Sequence, residues 1–282
     1  MPRIAIVTDI HHGADHLAKR GSAALPLLEQ FVRFVADTKP DLVLDLGDRI
    51  SDRDRDHDLA LMRQVADAFA PIAAPVLHLC GNHDRDFLSV DDNERVMGQA
   101  LGHQCLDIGG WRVVAWRADS RIRRPGGFHL DEADLVWLEH TVRSADRPLL
   151  IASHVPLSGH DQTGNYWFER NPTRSRYPDT ARLRAVLARA RVPMLCVAGH
   201  VHWNTLTMVD SIPHLTLQSL VELSSTSPQP AGAWGLLELA DTIDWRVLGL
   251  DPFAVRLDAT ATARRPLPCL APFEERVLAT AG

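Results

Sequence analysis

Short runs of β-branched and leucine residues alternate along the chain with longer segments in which apolar residues recur at helical spacing. The short apolar runs predict strands, most of them buried on both faces, near residues 4–8, 42–46, 76–80, 113–117, 149–152 and 194–198. The longer segments predict helices near residues 22–37, 57–70, 90–100, 131–145 and 179–190, several of them capped, by Ser22, Ser89, Asp131 and Asp179. This alternation is typical of a layered α/β fold.

The pattern changes after residue 210, where strand-like runs at 212–218, 234–239 and 245–248 follow one another without a helix between them. These runs predict a second sheet packed on the first. From residue 251 onwards, prolines recur and no clear periodicity is present. We therefore expect one domain over residues 1–250 and a peripheral tail over residues 251–282.

Composition places the chain among soluble globular proteins, with 45% apolar and 23% charged residues in a length of 282. No apolar run is long enough to cross a bilayer, and residues 1–8 lack the apolar core of a signal peptide, so we expect a cytoplasmic protein without a membrane partner. A formal net charge of −6 argues against nucleic acid as the main partner. The four cysteines are too scattered for a zinc or redox motif, and we expect buried free thiols at Cys80, Cys105, Cys196 and Cys269.

The 14 histidines are more informative, because several stand where a predicted strand ends. Carboxylate, amide or imidazole groups follow five of the predicted strands, as Asp9-Ile10-His11, Gly47-Asp48, Gly81-Asn82-His83-Asp84, Ser153-His154 and Gly199-His200-Val201-His202. In open α/β sheets, functional groups gather beyond the carboxyl ends of the strands. One such group alone is weak evidence, since a single buried histidine is more often structural than a ligand.

The spacing within each group also favours metal binding. Residues two apart in an extended segment point the same way, which would allow Asp9 with His11, or His200 with His202, to grip one ion or two neighbouring ions. Glycines at 47, 81 and 199 would permit the turns that direct the following side chain into the crevice. A mixture of carboxylates and neutral imidazoles suits Mn, Fe or Zn rather than Ca.

Taken in order, D-x-H, G-D, G-N-H-D, H and G-H-x-H between residues 9 and 202 resemble the calcineurin-like metallophosphoesterase family. The resemblance implies a four-layer αββα sandwich of two mixed sheets flanked by helices, with two metal ions at the strand ends. It implies that one metal is held by Asp9, His11, Asp48 and His202, and the other by Asp48, Asn82, His154 and His200. It further implies hydrolysis of phosphate esters by a hydroxide that the two metals share. His83 would protonate the leaving group, with Asp84 orienting its imidazole.

The substrate is less well defined by the sequence. The G-N-H-D histidine, the length and the C-terminal strands resemble class III cyclic nucleotide phosphodiesterases and bacterial glycerophosphodiesterases. We therefore expect a phosphodiesterase acting on small molecules, with a phosphomonoesterase as the alternative and a non-catalytic protein-binding scaffold as a further one. The protein phosphatase motif G-D-x-x-D-R-G is out of step by one residue at 47–53, which argues against that branch.

The segment 158–178, which follows His154, should border the metal crevice. Tyr166 and Trp167, together with Phe168, could stack on a base, and Arg170, Arg174 and Arg176 could bind a phosphate oxygen. A surface loop held by its aromatic residues, or a homodimer contact, is an equally good interpretation.

Two further features concern polar groups near the site. Asp45 and His78 interrupt apolar strands, and they could pair beneath the metals or bond to the backbone. The sequence SDRDRDHD at 51–58 is interpreted as a solvated loop of mutually compensating charges.

Overall fold

Twelve strands form two mixed six-stranded sheets in the computed structural model, which describes residues 1–267 and 270–273. In chain order β1 to β12 are Arg3–Val7, Leu42–Asp45, Val76–His78, Gln104–Ile108, Trp111–Ala115, Leu149–Ser153, Met194–Ala198, Thr205–Val209, Ile212–Thr216, Trp234–Leu239, Thr242–Leu248 and Phe253–Asp258. The first sheet has the order β12-β11-β10-β1-β2-β3, and the second has the order β4-β5-β6-β7-β9-β8. Within them, β1-β2-β3 and β5-β6-β7-β9 are parallel, and the remaining pairings are antiparallel.

Among the described residues, five α-helices cover the outer faces of the sheets. In chain order α1 to α5 are Ala24–Thr38, Arg55–Phe69, Val90–Met97, Glu132–Arg143 and Thr180–Leu187. Ser89 and Asp179 cap α3 and α5 through their side chains, as predicted. Asp131 occupies the N-cap of α4 without a side-chain bond to the helix, and Ser22 lies before the start of α1 and bonds to Asp15 instead.

The core has three apolar layers. The central layer lies between the sheets and contains residues from both, such as Ile6, Leu44, Leu150 and Trp245. A second layer lies between β1-β2 and helices α1 and α2, and a third between β5-β6-β7 and helices α4 and α5. The predicted four-layer αββα sandwich is therefore confirmed.

The sequence predicted the central strands best. All nine predicted strands are present, with small shifts at their ends, but β4, β8 and β12 were not predicted. The expectation that the C-terminal runs build the second sheet is wrong, because β9 joins the second sheet whereas β10 and β11 extend the first. Each sheet therefore combines early and late segments of the chain.

Residues 251–282 were expected to form a peripheral tail, but the first part of this segment belongs to the first sheet. Residues Phe253–Asp258 form β12, which pairs along β11, and Thr262 accepts a hydrogen bond from the Met194 backbone at 2.9 Å. Of the predicted buried thiols, Cys196 is buried, Cys80 is half-buried and Cys105 is exposed. The fourth, Cys269, and the end of the tail lie outside the described residues. Within the described ranges, no helix combines the length and the apolar character needed to cross a membrane.

Candidate dinuclear metal centre

The ends of five strands meet at one edge of the sandwich. β1, β2 and β3 of the first sheet lead to the segments that carry Asp9, Asp48 and Asn82. β6 and β7 of the second sheet lead to His154 and His200. The polar groups of the five segments therefore converge at the seam between the two sheets.

The backbone at these strand ends is not extended. Asp9, His11, Asp48, His200 and His202 have φ angles of 51°, 44°, 56°, 69° and 57°, in the left-handed region. The expectation that Asp9 and His11 point the same way because they lie two apart in an extended segment is therefore wrong. Non-glycine residues in this region cost about 1–3 kcal/mol each, and they concentrate at functional sites.

All three predicted glycines are required by close approach of other atoms, and a β-carbon on Gly47 would lie 2.3 Å from the backbone nitrogen of Gly81. A β-carbon on Gly81 would lie 2.0 Å from Oδ1 of Asp48, and one on Gly199 would lie 1.9 Å from Oγ1 of Thr8. These separations are too short for any side chain. The glycines therefore bring the backbone that follows β3 and β7 against Asp48, which follows β2, and Thr8, which precedes Asp9.

The first group of candidate metal ligands comprises Asp9, His11, Asp48 and His202. Nε2 of His202 lies 3.2 Å from Oδ1 of Asp9 and 3.0 Å from Nε2 of His11. Nε2 of His11 lies 3.8 Å from both Asp9 and Asp48. Their ligand atoms all lie within 4.8 Å of one another, close enough to share one ion.

The second group comprises Asp48, His154 and His200. Nε2 of His154 lies 3.5 Å from Oδ2 of Asp48 and 3.4 Å from Oδ1 of Asn82. Asn82 is thus positioned to add an amide oxygen to this group. Asp48 belongs to both groups: its Oδ2 faces His11 and His154, and its Oδ1 accepts a hydrogen bond from the His83 backbone at 2.8 Å.

Three of the histidines use one ring nitrogen to donate to a fixed acceptor, which leaves the other nitrogen free as a metal ligand. The acceptors are the Leu46 carbonyl for Nδ1 of His154 at 2.9 Å, the Arg174 carbonyl for Nε2 of His200 at 2.6 Å, and the Glu222 carboxylate for Nδ1 of His202 at 2.9 Å. Because a carbonyl or carboxylate oxygen can only accept, each tautomer is determined. Metal-binding histidines are commonly oriented in this way.

The charges of the site also fit a bound cation. Asp9 is fully buried, and its Oδ1 has no hydrogen-bond partner in the described part of the chain although it faces the centre of the first group. Burial keeps the pKa of His11 well below its ordinary value, with Lys19 adding to the effect, and lowers the pKa of His200 to about 3. The imidazoles of His11 and His200 are therefore neutral at neutral pH. Against the effect of burial, the nearby carboxylates raise the pKa of His154 and of His202 to about 9, a positive charge that a bound cation would replace. The two clusters of aspartates and histidines, joined at Asp48, are suited to hold two neighbouring metal ions.

His83 stands beside the ligands without belonging to either group. Its ring packs edge-on against His11 with centroids 4.8 Å apart, and its side chain is 30% exposed. Nδ1 of His83 contacts Oδ1 of Asp52. The predicted pairing of His83 with Asp84 is wrong, because the Asp84 carboxylate is fully buried and bonds to other groups.

The Asp84 oxygens accept from the backbone of Gly81, Asp48 and Arg49, and from the Arg49 guanidinium at 3.0 Å. Asp84 therefore fixes the backbone turns rather than the His83 ring.

A buried arginine, Arg49, links two carboxylates beneath the candidate ligands. Arg49 has no exposed surface, and its guanidinium bonds to both Asp45 and Asp84. Nδ1 of His78 lies 2.8 Å from Oδ2 of Asp45, so the pairing considered for these two residues is present. The carboxylates of Asp45 and Asp84 raise the pKa of Arg49 against the effect of burial.

A cavity of about 370 Å³ opens above the two ligand groups. Of the predicted substrate residues, Tyr166, Trp167 and Arg174 line this cavity. Arg170 is exposed and does not line it, and Arg176 donates to the Gly159 carbonyl at 2.6 Å within its own loop. The prediction that Arg170 and Arg176 face the cavity to bind a phosphate oxygen is therefore wrong.

Several residues of the site were not predicted from the sequence. Lys19 and Arg124 line the cavity, and Lys19 places its ammonium 3.4 Å from Nδ1 of His11. Glu222 is fully buried and joins His202 to the Tyr166 hydroxyl, which donates to it at 3.3 Å. Asp52 lies in the stretch 51–58 interpreted as a solvated loop, the second half of which instead begins α2 with Asp54 as its cap. Only the charge of these residues distinguished them in the sequence.

Comparisons with known proteins agree with this arrangement. The family model described as calcineurin-like phosphoesterase matches residues 2–204. The chain is 34% identical over 155 residues to a 3′,5′-cyclic adenosine monophosphate phosphodiesterase, CpdA, from Pseudomonas aeruginosa. That alignment covers 51% of this chain and 52% of the relative, so the match spans about half of each protein.

Solved structures share the fold at low sequence identity. A dimetal phosphatase from Danio rerio superimposes with a TM-score of 0.72 at 16% identity, covering 90% of this chain and 98% of that one. A protein from Thermus thermophilus superimposes with a TM-score of 0.52 at 14% identity, covering 89% and 99%. At these identities the similarity shows the fold alone.

Proposed function

Because the chain belongs to the calcineurin-like phosphoesterase family, we propose that it hydrolyses small-molecule phosphate diesters, of the cyclic nucleotide or glycerophosphodiester type. The reaction requires two metal ions, of Mn, Fe or Zn. Asp9, His11, Asp48 and His202 would hold the first ion, and Asp48, Asn82, His154 and His200 would hold the second. The observation that carries the proposal is the position of Asp48, whose carboxylate belongs to both ligand groups.

The bound ions would supply Lewis acidity toward the phosphoryl oxygens and would lower the pKa of water. The protein itself fixes the geometry, because Asp9 and Asp48 are buried and accept backbone hydrogen bonds, and the rings of His154, His200 and His202 are oriented by hydrogen bonds. Little rearrangement is then needed as charge develops on the phosphoryl group.

His83 acts as the general acid in this proposal. It lines the cavity, is partly exposed to substrate, and is tethered to Asp52 through Nδ1. A proton on Nε2 can therefore be transferred to the oxygen of the departing alcohol. General acid catalysis of this kind contributes about two to four powers of ten in rate.

The cavity walls favour a substrate with an organic group on the leaving or the retained side. Tyr166, Trp167 and Phe168 supply aromatic surface, while Lys19 and Arg174 supply positive charge near the ligands. An aromatic base stacks on such surface, and a phosphate oxygen pairs with such cations. The relationship to a cyclic nucleotide phosphodiesterase supports a diester substrate of this type.

A panel of esters tests the proposal on protein loaded with Mn. The panel contains bis(p-nitrophenyl) phosphate, 3′,5′-cyclic AMP, glycerophosphocholine and the monoester p-nitrophenyl phosphate. We expect kcat/KM for the preferred diester to exceed that for the monoester by at least about tenfold, equivalent to about 1.4 kcal/mol of transition-state stabilisation.

Two outcomes would contradict it. A preference for p-nitrophenyl phosphate would indicate a phosphomonoesterase of the same fold. Absence of hydrolysis with Mn, Fe and Zn alike would indicate a non-catalytic scaffold.

A further inference from the structure

A second cleft, rich in arginine, adjoins the cavity above the ligand groups. We call it the arginine cleft; it is lined by Arg85, Asp86, Phe87, Asp119, Arg121, Ile122, Arg123 and Arg124. Asp86, Ile122 and Arg124 also line the cavity, so the two spaces are continuous. A molecule bound at the metal ligands could therefore extend into the cleft.

One wall of the cleft continues directly from the segment that carries Asn82 and His83. Residues 85–87 follow this segment, and the backbone of Arg85 donates to the Asn82 carbonyl at 3.0 Å. Leu88, immediately afterwards, is buried in a cluster with α2. The position of this wall is thus fixed relative to the proposed general acid.

The other wall is a short hairpin whose ends are also anchored to the site. Arg123 and Gly127 exchange two backbone hydrogen bonds of 2.8 Å. Before the hairpin, the Ser120 hydroxyl donates to the Gly81 carbonyl at 3.0 Å. After it, the buried Phe128 packs against His200 with ring centroids 5.1 Å apart. Both walls are therefore held by residues of the metal centre or its immediate neighbours.

The charge of the cleft is unbalanced. Four arginines face two aspartates, and the pairs Arg123–Asp119 and Arg124–Asp86 are 3.6 Å and 3.7 Å long. Exposed ion pairs of this length contribute little and exchange partners readily. Arg85 and Arg121 have no carboxylate partner within the ranges described, and the buried Nε of Arg85 has no hydrogen-bond partner. This excess of positive charge stands out in a chain of net charge −6.

We propose that the arginine cleft binds a second phosphate group of the substrate, beyond the one that is hydrolysed. This inference rests on the proposed function, because it concerns the same molecule. Guanidinium groups form paired hydrogen bonds to phosphate, and a cleft with several of them is suited to a dianion. Phe87 is 48% exposed at the edge of the cleft and offers a face for an adjoining base or sugar.

Two matched esters test the inference: thymidine 5′-(p-nitrophenyl phosphate), with and without a 3′-phosphate. In both, water adds to the same phosphorus, the bond to p-nitrophenolate breaks, and one proton is released to solvent. We expect the 3′-phosphate to lower KM about tenfold in the Mn-loaded protein, the effect of one charge-assisted contact. Equal KM values for the two esters would overturn the inference, whereas hydrolysis of neither would overturn the proposed function.

Substitution of single arginines tests whether the lower KM depends on the cleft itself or on positive charge anywhere on the surface. Arg85→Gln and Arg121→Gln should each remove most of the advantage given by the 3′-phosphate, while kcat/KM for the simpler ester stays within about twofold. Arg256→Gln is the matched control, since this exposed arginine lies on β12, at the edge of the first sheet, and pairs with Asp244 on β11. If Arg256→Gln reduces the advantage as much as Arg121→Gln does, the effect is non-specific and the inference is wrong.

A binding measurement gives a readout independent of turnover. Titration calorimetry on the Mn-loaded protein should show thymidine 3′,5′-bisphosphate binding about tenfold more tightly than thymidine 5′-phosphate, and Arg121→Gln should abolish the difference. Inorganic phosphate at the same concentration should not reproduce this affinity. If it does, the cleft binds free phosphate rather than a second substrate phosphate, and the inference is wrong.

Discussion

At the scale of single residues, the contact between Asp52 and His83 bears most directly on catalysis. Asp52 is four residues after Asp48, at the end of the turn that follows β2, and its carboxylate reaches Nδ1 of His83. Because Nδ1 is engaged there, the proton available for transfer is on Nε2. Asp52 therefore acts as a positioning residue for the proposed general acid.

We expect Asp52→Asn to reduce kcat on bis(p-nitrophenyl) phosphate by about tenfold to a hundredfold with little change in KM, because the imidazole loses the carboxylate that orients it. Metal content should be unchanged, since Asp52 belongs to neither ligand group. Asp56→Asn, in the first turn of α2, is the control and should leave kcat and KM unchanged. An unchanged kcat in Asp52→Asn would remove Asp52 from this role.

Glu222 orients a candidate ligand in a comparable way. Its buried carboxylate accepts the Nδ1 proton of His202, which directs Nε2 toward Asp9. We expect Glu222→Gln to weaken binding of one metal equivalent by about tenfold to a hundredfold, as such outer contacts do elsewhere. Competition with a chromophoric chelator measures this, with the surface variant Glu238→Gln as control. Equal affinities in the two variants would contradict the role of Glu222.

His214 gives a prediction about pH that does not involve the metals. It is 4% exposed on β9, its Nδ1 lacks a partner among the described residues, and burial lowers its pKa to about 4. The unfolded chain binds this proton near the ordinary pKa of about 6.5, so stability should fall as pH drops from about 6.5 toward 4. The slope is about 1.4 kcal/mol per pH unit.

Urea unfolding of wild type and His214→Leu at about pH 7, 6 and 5 isolates this contribution. The difference in unfolding free energy between the two proteins should move in favour of the variant as pH falls. Other histidines affect both proteins alike, so only the difference matters. A difference that stays constant with pH would show that His214 is not the group responsible.

At the scale of elements, the turn after β2 depends on buried Arg49. Its guanidinium bonds to Asp45 on β2 and to Asp84 in the segment after β3, so it links two strand ends under the site. Removing it would leave two carboxylates buried without their cation. Breaking a buried pair in this way costs about 3–5 kcal/mol.

We therefore expect Arg49→Met to lower the free energy of unfolding by at least about 3 kcal/mol in urea. Arg246→Met is the matched control, because Arg246 pairs with Glu238 on the exposed face of β10 and β11 and is 52% exposed. Its loss should cost less than about 1 kcal/mol. Similar losses in the two variants would show that the Arg49 network contributes no more than a surface pair.

The sequence predicted those elements whose pattern of burial can be seen within a single segment of the chain. Central strands such as β6 and β7 are buried along their whole length and therefore appear as continuous apolar runs. The strands that were missed lie at sheet edges, where burial is partial: β4, β8 and β12 all alternate or expose their side chains. Which sheet a C-terminal strand joins depends on pairing between distant segments, which periodicity does not encode.

The same distinction applies to the site. The seven candidate ligands could be predicted because they follow strands in an ordered set of motifs, and the structure brings them together. The residues that surround them could not be predicted in this way. Glu222 lies 20 residues after His202, and Arg124 lies between β5 and α4, so only the packing of separate loops places them at the cavity.

At the scale of the whole molecule, the candidate centre lies on the seam between the two sheets. The first sheet supplies the segments with Asp9, Asp48 and Asn82, and the second supplies those with His154 and His200. Packing of the central apolar layer therefore determines the distances between the two ligand groups. Five of the seven candidate ligands have a left-handed backbone conformation, and the surrounding fold must offset this local strain. They are Asp9, His11, Asp48, His200 and His202.

The most direct test of the account is the metal content of three proteins, measured by elemental analysis together with turnover of the preferred diester. Wild type should hold two ions per chain, and His83→Ala should also hold two while losing about two to four powers of ten in kcat. Asp48→Asn should lose both turnover and metal, because its carboxylate belongs to both ligand groups. If His83→Ala loses as much metal as Asp48→Asn, or if wild type holds a single ion, the proposed division between ligands and general acid is wrong.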